Sequence, residues 1–331
     1  MKGKYNLDKF NQNADETEVL FIERVNLMFQ NIEERIDKDE EVSEGEIFQL
    51  CSYVYVSDRN VSEKVYNKCN NFLFRKMYLT YFFDLSGGSK YFKPLGLKLV
   101  EIPIEIAQSE LKYLSEDALQ WESFLSKTQT DALVIEAKRE YDFELKQFKK
   151  ECPEYKNKFI FGGRRIYEEG KKQILLQNKY IYLSCKELLE NYKAEDLKMN
   201  LNNREIVMNE FSFFHIYNRH FGESSKPYRS KKSFHIESAD FHPNYLNIQL
   251  KDVFHDIDRS GYLSRNNLKE IFFKIYTENN VILYKIYTTS NDFVSNILIS
   301  TFFPIEDINV LNDIDNRLNY VRINEGLGVY Y

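Results

Sequence analysis

Histidine is absent from the first 214 residues of this 331-residue chain; all five (His215, His220, His235, His242 and His255) lie between positions 215 and 255. The side chains that exchange protons near neutral pH are therefore confined to one span. Cysteine is also scarce. Cys51, Cys69, Cys152 and Cys185 form no CxxC or Cys/His pair, which disfavours zinc and makes reduced thiols the expected state. No apolar run reaches the length that crosses a bilayer. The opening MKGKYNLDKFNQNADETEV lacks the apolar segment of a secretory leader, so a cytoplasmic protein with no membrane contact is expected. The chain has no Gly-rich phosphate loop, no serine or cysteine nucleophile motif and no internal repeat, and no cofactor is expected.

A content of 43% hydrophobic and 15% aromatic residues is that of a folded chain, and its length fits two domains. The formal net charge of -6 conceals a gradient. Residues 1–155 carry 21 Lys and Arg against 29 Asp and Glu, residues 156–240 carry 16 against 11, and residues 241–331 carry 8 against 11. The one basic segment holds the first three histidines, which favours an anionic partner there, such as a phosphodiester.

The first 150 residues read as helical. Val19, Leu20, Ile22, Val25, Met28, Phe29 and Ile32 recur at the period of an amphipathic helix from about Asp15 to Ile36. A second helix follows Ser43 as its cap, and a third is expected over Val61–Phe83, ending at Leu85-Ser86-Gly87-Gly88. LGLKLVEIP reads as extended. From Ile104 to Lys150 there is neither proline nor glycine, which predicts one long helix, or two joined near Lys127–Thr130, serving as scaffold without chemistry. Cys152-Pro153 ends it. Beyond, Phe159–Tyr167 reads as a hairpin around Gly162-Gly163, Ile174–Leu176 and Tyr180–Leu183 as strands, and CKELLENY as a short helix capped by Ser184.

The stretch FSFFHIYNRHFGESSKPYRSKKSFHIE, Phe211–Glu237, concentrates imidazoles and cations. Asn209 is the expected N-cap of a helix over Glu210–Phe221, and Gly222 its stop. On that helix His215 and Arg219 share a face, while His220 is rotated by roughly 140° from His215. A regular helix cannot aim both rings at one atom, so the partner imidazole is expected from another segment, with His235 the best candidate. Lys226, Arg229, Lys231 and Lys232, with Tyr228 among them, form a basic loop suited to RNA. Two histidines, a cation and a hydroxyl suffice for RNA transesterification. His242 and His255 read as a turn residue and a helix-surface residue.

The order IYLSCKELLENY, NEFSFFHIYNRHFG, a basic loop with a further histidine, a helical insert, then VILYKIYTT and ILISTFFP as paired strands resembles the phage and polymorphic-toxin branch of the barnase/EndoU/colicin/RelE-like ribonuclease fold, over roughly residues 156–305. The resemblance implies helices packed with a small antiparallel sheet and metal-free cleavage of RNA to a 2′,3′-cyclic phosphate. It implies a catalytic imidazole at His215 or His220, a cation at Arg219, a second imidazole at His235 and a hydroxyl at Thr301.

DIDRSGYLS, from Asp256 to Ser264, matches the start of an EF-hand loop between helix-like flanks QLKDVFHDI and NNLKEIFFKI. Asp256, Asp258 and Ser260 are thus weak calcium candidates, since Asn267 stands where a bidentate Glu belongs; the alternative is a turn at Arg259–Gly261. At the C-terminus NRLNYVRINEGLGVYY is expected to add an edge strand. The expectation is an α+β chain with a helical interaction or regulatory domain over 1–150 and a small antiparallel-sheet domain with packed helices over 156–331. Its expected function is that of a metal-independent endoribonuclease of a bacterial toxin or phage-defence type, whose N-terminal helices serve a homodimer or an inhibitory partner. The alternative is a non-catalytic binding or structural protein that engages a partner through its basic loop.

Overall fold

The computed structural model of the chain describes residues 4–38, 40, 42–43, 46, 49–50, 91–95, 98–102, 104–151, 163–220, 241, 245–263, 268–277, 280–290 and 297–331. These form two compact units, one drawn from Met1–Thr128 and Tyr141–Tyr180, the other from Gln129–Glu140, Ile181–Glu223 and Ser230–Tyr331. The class is α+β, with helices gathered in the N-terminal part and strands after them.

In the first unit, α1 (Glu18–Asp37) buries Phe21, Val25, Met28, Phe29 and Ile32. Val19 and Leu20, expected on that stripe, are exposed, because a step of about 100° per residue turns both away from a face centred on Val25. Ser43 caps as expected: its Oγ accepts from the Glu46 amide at 3.3 Å, and the Glu46 carboxylate accepts from the Ser43 amide at 2.8 Å. The helix expected over Val61–Phe83 lies outside the described residues. The extended stretch is β2 (Lys98–Ile102), paired antiparallel with β1 (Tyr91–Leu95). The proline-free run is two helices, α2 (Ile104–Ser126) and α3 (Ala132–Glu151), and Asp131 caps the second by accepting from the Val134 amide at 3.1 Å.

The strands expected at Ile174–Leu176 and Tyr180–Leu183 are instead parts of one helix, α4 (Gly163–Asn191), which also absorbs Arg164–Tyr167 and the supposed cap Ser184. Its buried positions Tyr167, Gly170, Ile174, Gln177, Ile181 and Cys185 recur three or four apart, a helical period that the short apolar clusters ILL and YIYL disguise.

The second unit is organised by a seven-stranded sheet. Its strands are β3 (Lys198–Leu201), β4 (Arg204–Val207), β5 (Glu270–Tyr276), β6 (Val281–Ser290), β7 (Ile297–Ile305), β8 (Tyr320–Arg322) and β9 (Leu327–Tyr330). They lie in the order β3-β4-β7-β6-β5-β9-β8, antiparallel throughout except for β4 against β7. The expected pair of strands in VILYKIYTT and ILISTFFP is β6 and β7, and β8 is the C-terminal edge. NNLKEIFFKI, expected as helix, contributes β5 from Glu270 onward, with consecutive buried side chains Ile271, Phe272 and Phe273 reaching both faces. Asn202 and Asn203, both at positive φ (53° and 59°), turn β3 into β4, a two-residue hairpin that the sequence reading passed over.

One sheet face is packed by Phe273, Tyr284 and Phe302, with the ring of Phe241 edge-on to Phe302 at 4.8 Å. On the other, Phe272, Leu283, Ile305 and Tyr330 pack with Ile314 of α7 (Ile308–Arg317). Among the described residues β4 pairs with β7 at Ile206↔Ile297 and Val207↔Leu298. From Ile299 onward α5 (Glu210–His220) takes its place: the Ser212 hydroxyl donates to the Ile299 carbonyl at 2.5 Å. Truncating Phe302, fully buried at the centre of the ring cluster, is expected to cost about 3–5 kcal/mol; urea unfolding of Phe302→Ala at neutral pH measures it.

Candidate active site

α5 begins as expected, with the Asn209 Oδ1 accepting from the Ser212 amide at 3.2 Å. Phe213, Phe214, Ile216 and Tyr217 are its buried apolar residues. His215, Asn218 and Arg219 fall within one arc of the helix. All three meet the carboxylate of Glu140, the last residue that α3 contributes to the second unit. Arg219 binds it through both Nε (2.8 Å) and Nη2 (3.0 Å), Asn218 donates its amide at 3.2 Å, and His215 Nδ1 lies 3.1 Å from Oε1.

The Glu140 side chain is 2% exposed. Burial pushes its carboxyl pKa up, but the hydrogen bonds from His215 and Arg219 outweigh that and hold it well below the usual carboxylate range. Since an ionised carboxylate only accepts, Nδ1 of His215 is the donor in this contact.

His220, five positions on, is offset by roughly 140° around the helix and meets different partners. Its Nε2 is 2.9 Å from the Thr301 hydroxyl, and its ring stacks on Phe303 at a centroid distance of 4.9 Å. The ring centroids of His215 and His220 are 6.3 Å apart. Four residues singled out from the sequence, His215, Arg219, His220 and Thr301, therefore form one cluster. His235 and the basic-loop residues Lys226, Tyr228, Arg229, Lys231 and Lys232 lie outside the described residues. His255 is exposed on α6 (Leu246–Ser260) and belongs to no part of the cluster. Glu140 was missed, for it sits in a helix read as scaffold and nothing in its local spacing marks it.

The weak calcium candidates are arranged differently from a binding loop. Asp256, Asp258 and Ser260 lie on the last turns of α6, not in a loop, and Gly261, at φ 71°, ends the helix. Asp258 accepts from the Asn202 amide at 2.6 Å, Asp256 from the Asn324 side chain at 2.8 Å, and Ser260 donates to the Ile257 carbonyl. Each Asp thus contacts a neighbouring segment and Ser260 bonds within its own helix, because the helical period, not the loop motif, governs this stretch. Among the described residues no three His, Cys, Asp or Glu side chains converge as a metal site requires, and no helix is long and apolar enough to cross a membrane. A cavity of 500 Å³ lined by Leu283, Ile305, Ile308 and Leu311 includes no member of the cluster.

Comparison of the chain with protein-family models, curated proteins and solved structures finds no match.

Replacing Glu140 by Gln leaves Arg219 and His215 without their anion and is expected to cost about 3 kcal/mol. Because the folded pKa is depressed, the ionised group stabilises fully above the ordinary glutamate value of about 4.3. That contribution is lost as pH falls from there through the folded value. Urea midpoints measured from pH 7 downward should converge for the wild type and Glu140→Gln; equal midpoints at pH 7 would remove the clamp role.

Proposed function

We propose that the chain is a metal-independent endoribonuclease of the barnase/EndoU/colicin/RelE-like kind. The observation that carries this reading is the pair of imidazoles 6.3 Å apart, each fixed by a different partner, beside one guanidinium and one hydroxyl. One imidazole takes the proton of a ribose 2′-OH, and the O2′ attacks phosphorus. The bond from phosphorus to the 5′-oxygen then breaks, and a protonated imidazole gives its proton to that oxygen. The products are a 2′,3′-cyclic phosphate and a 5′-hydroxyl. Arg219 and Thr301 face the charge that builds on the non-bridging oxygens. Glu140 acts through His215 and Arg219 as a positioning residue.

The proposed setting is a cytoplasmic bacterial toxin or phage-defence effector, with RNA as substrate and the N-terminal helices engaging a second copy or an inhibitor. End-labelled RNA incubated with the protein in EDTA tests the chemistry. Cleavage with cyclic-phosphate ends is expected, reduced about a hundred- to ten-thousandfold in His215→Ala and His220→Ala and markedly in Thr301→Val. Cleavage at wild-type rate in all three variants would sink the assignment. Absence of cleavage by folded protein would favour a binding protein in which the Glu140 cluster is a structural clamp.

A further inference from the structure

Thr301 is one point on a wider surface. Side chains alternate along a strand, so Thr301 and Phe303 of β7 share a face. The antiparallel register sets Tyr287 of β6 opposite Thr301 and Lys285 opposite Phe303. β5 continues the rows, with Glu270 opposite Tyr287 and Phe272 opposite Lys285. One end of this face is closed by α7, whose Ile314 packs on Leu283, Ile305, Phe272 and Tyr330, with Phe303 at the border. At the other end Tyr287 and Thr301 are half-buried, the Lys285 side chain is 13% exposed and that of Glu270 42%.

These side chains form a connected row that leads to the imidazoles. The Lys285 ammonium lies 3.9 Å from the centroid of the Tyr287 ring and 4.8 Å from that of Phe272, and is held by Glu270 at 3.3 Å. Tyr287 neighbours Phe303 at 6.3 Å, and Phe303 is the ring on which His220 stacks. An aromatic side chain that reaches solvent on a sheet face can stack on a base that is free of a duplex. An ammonium beside it, oriented by a carboxylate, supplies a point charge for a backbone phosphate.

We infer that Tyr287 and Lys285 form a nucleotide subsite next to the imidazoles, the Tyr287 ring taking a base of single-stranded RNA and the Lys285 ammonium a phosphate of the same strand. The inference rests on the ribonuclease reading for what happens at the neighbouring bond. The stacking and charge chemistry of the subsite itself is independent of cleavage.

A fluorescein-labelled single-stranded 2′-O-methyl RNA octamer, which has no 2′-OH to attack phosphorus, tests binding by anisotropy with the full-length chain at several salt concentrations. Tyr287→Ala is expected to weaken binding about tenfold or more, while Tyr287→Phe, which keeps the ring, stays within about twofold of wild type. Lys285→Ala is expected to weaken binding and to reduce the slope of log affinity against log salt by about one. Thermal melts of each variant separate loss of the ring from loss of the fold, and Tyr287→Phe with Lys285→Ala keep the test decisive if Tyr287→Ala unfolds. Equal affinity across wild type, Tyr287→Ala and Lys285→Ala overturns the subsite, as does an octamer that does not bind the wild type. If unmodified RNA stays intact while octamer binding depends on Tyr287 and Lys285, the ribonuclease reading fails and the subsite stands.

Discussion

The buried carboxylate of Glu140 is the constraint on which the cluster depends. A charge taken out of water costs several kcal/mol unless it is paired and hydrogen-bonded, and here the offset comes from three side chains of a single helix. Arg219 alone could rotate about its long stem. Arg219, Asn218 and His215 together cannot all reach one carboxylate unless α5 holds one rotation about its axis. That rotation then settles the next turn. His220 is carried to the side of β7, where the Thr301 hydroxyl and the Phe303 ring receive it. One anion on α3 thereby orients both imidazoles, including the one it does not touch.

The second anchor is on the strand. β4 ends at Val207, opposite Leu298 of β7, and an exposed strand edge invites either another strand or a helix. Ser212 answers the first uncovered carbonyl, at Ile299, and His220 reaches the strand at Thr301 and Phe303. Eight helical residues rise about 12 Å, and four strand residues about 13 Å, so α5 can run alongside β7 with both ends in contact. The early departure of β4 is what lets a helix, rather than a strand, present its side chains to that part of the sheet.

Much of this was legible in the sequence where a local rule decides the outcome. The proline-free helical run, the Asn209 cap, the angular offset of His220 from His215, and the β6–β7 pair follow from period, capping and alternation. The misreadings share a cause. In α4 and β5, apolar residues come in short clusters that suit a half-buried strand and a buried helix equally, and only packing decides between them. DIDRSG matched a loop motif, but its residues continue a helix already under way and stop at Gly261. Glu140 was illegible for a stronger reason: its partners lie 75 or more positions away, and one acid among the many on α3 carries no mark of having been buried.

The charge arrangement has a consequence for any anionic ligand. Arg219 is paired with Glu140, and Lys285 with Glu270, so both of these cations are held by a carboxylate. Paired cations of this kind create little long-range field, because the potentials of each pair largely cancel beyond a Debye length of about 8 Å. They are well placed for short-range work, where fixed orientation matters more than net charge. Steering a nucleic acid from solution needs a local excess of positive charge, and in this acidic chain the sequence places Lys226, Arg229, Lys231 and Lys232 shortly after α5. On the proposed reading, capture and chemistry are thus divided between a basic segment that attracts any polyanion and a neutralised cluster that acts only on a correctly seated one.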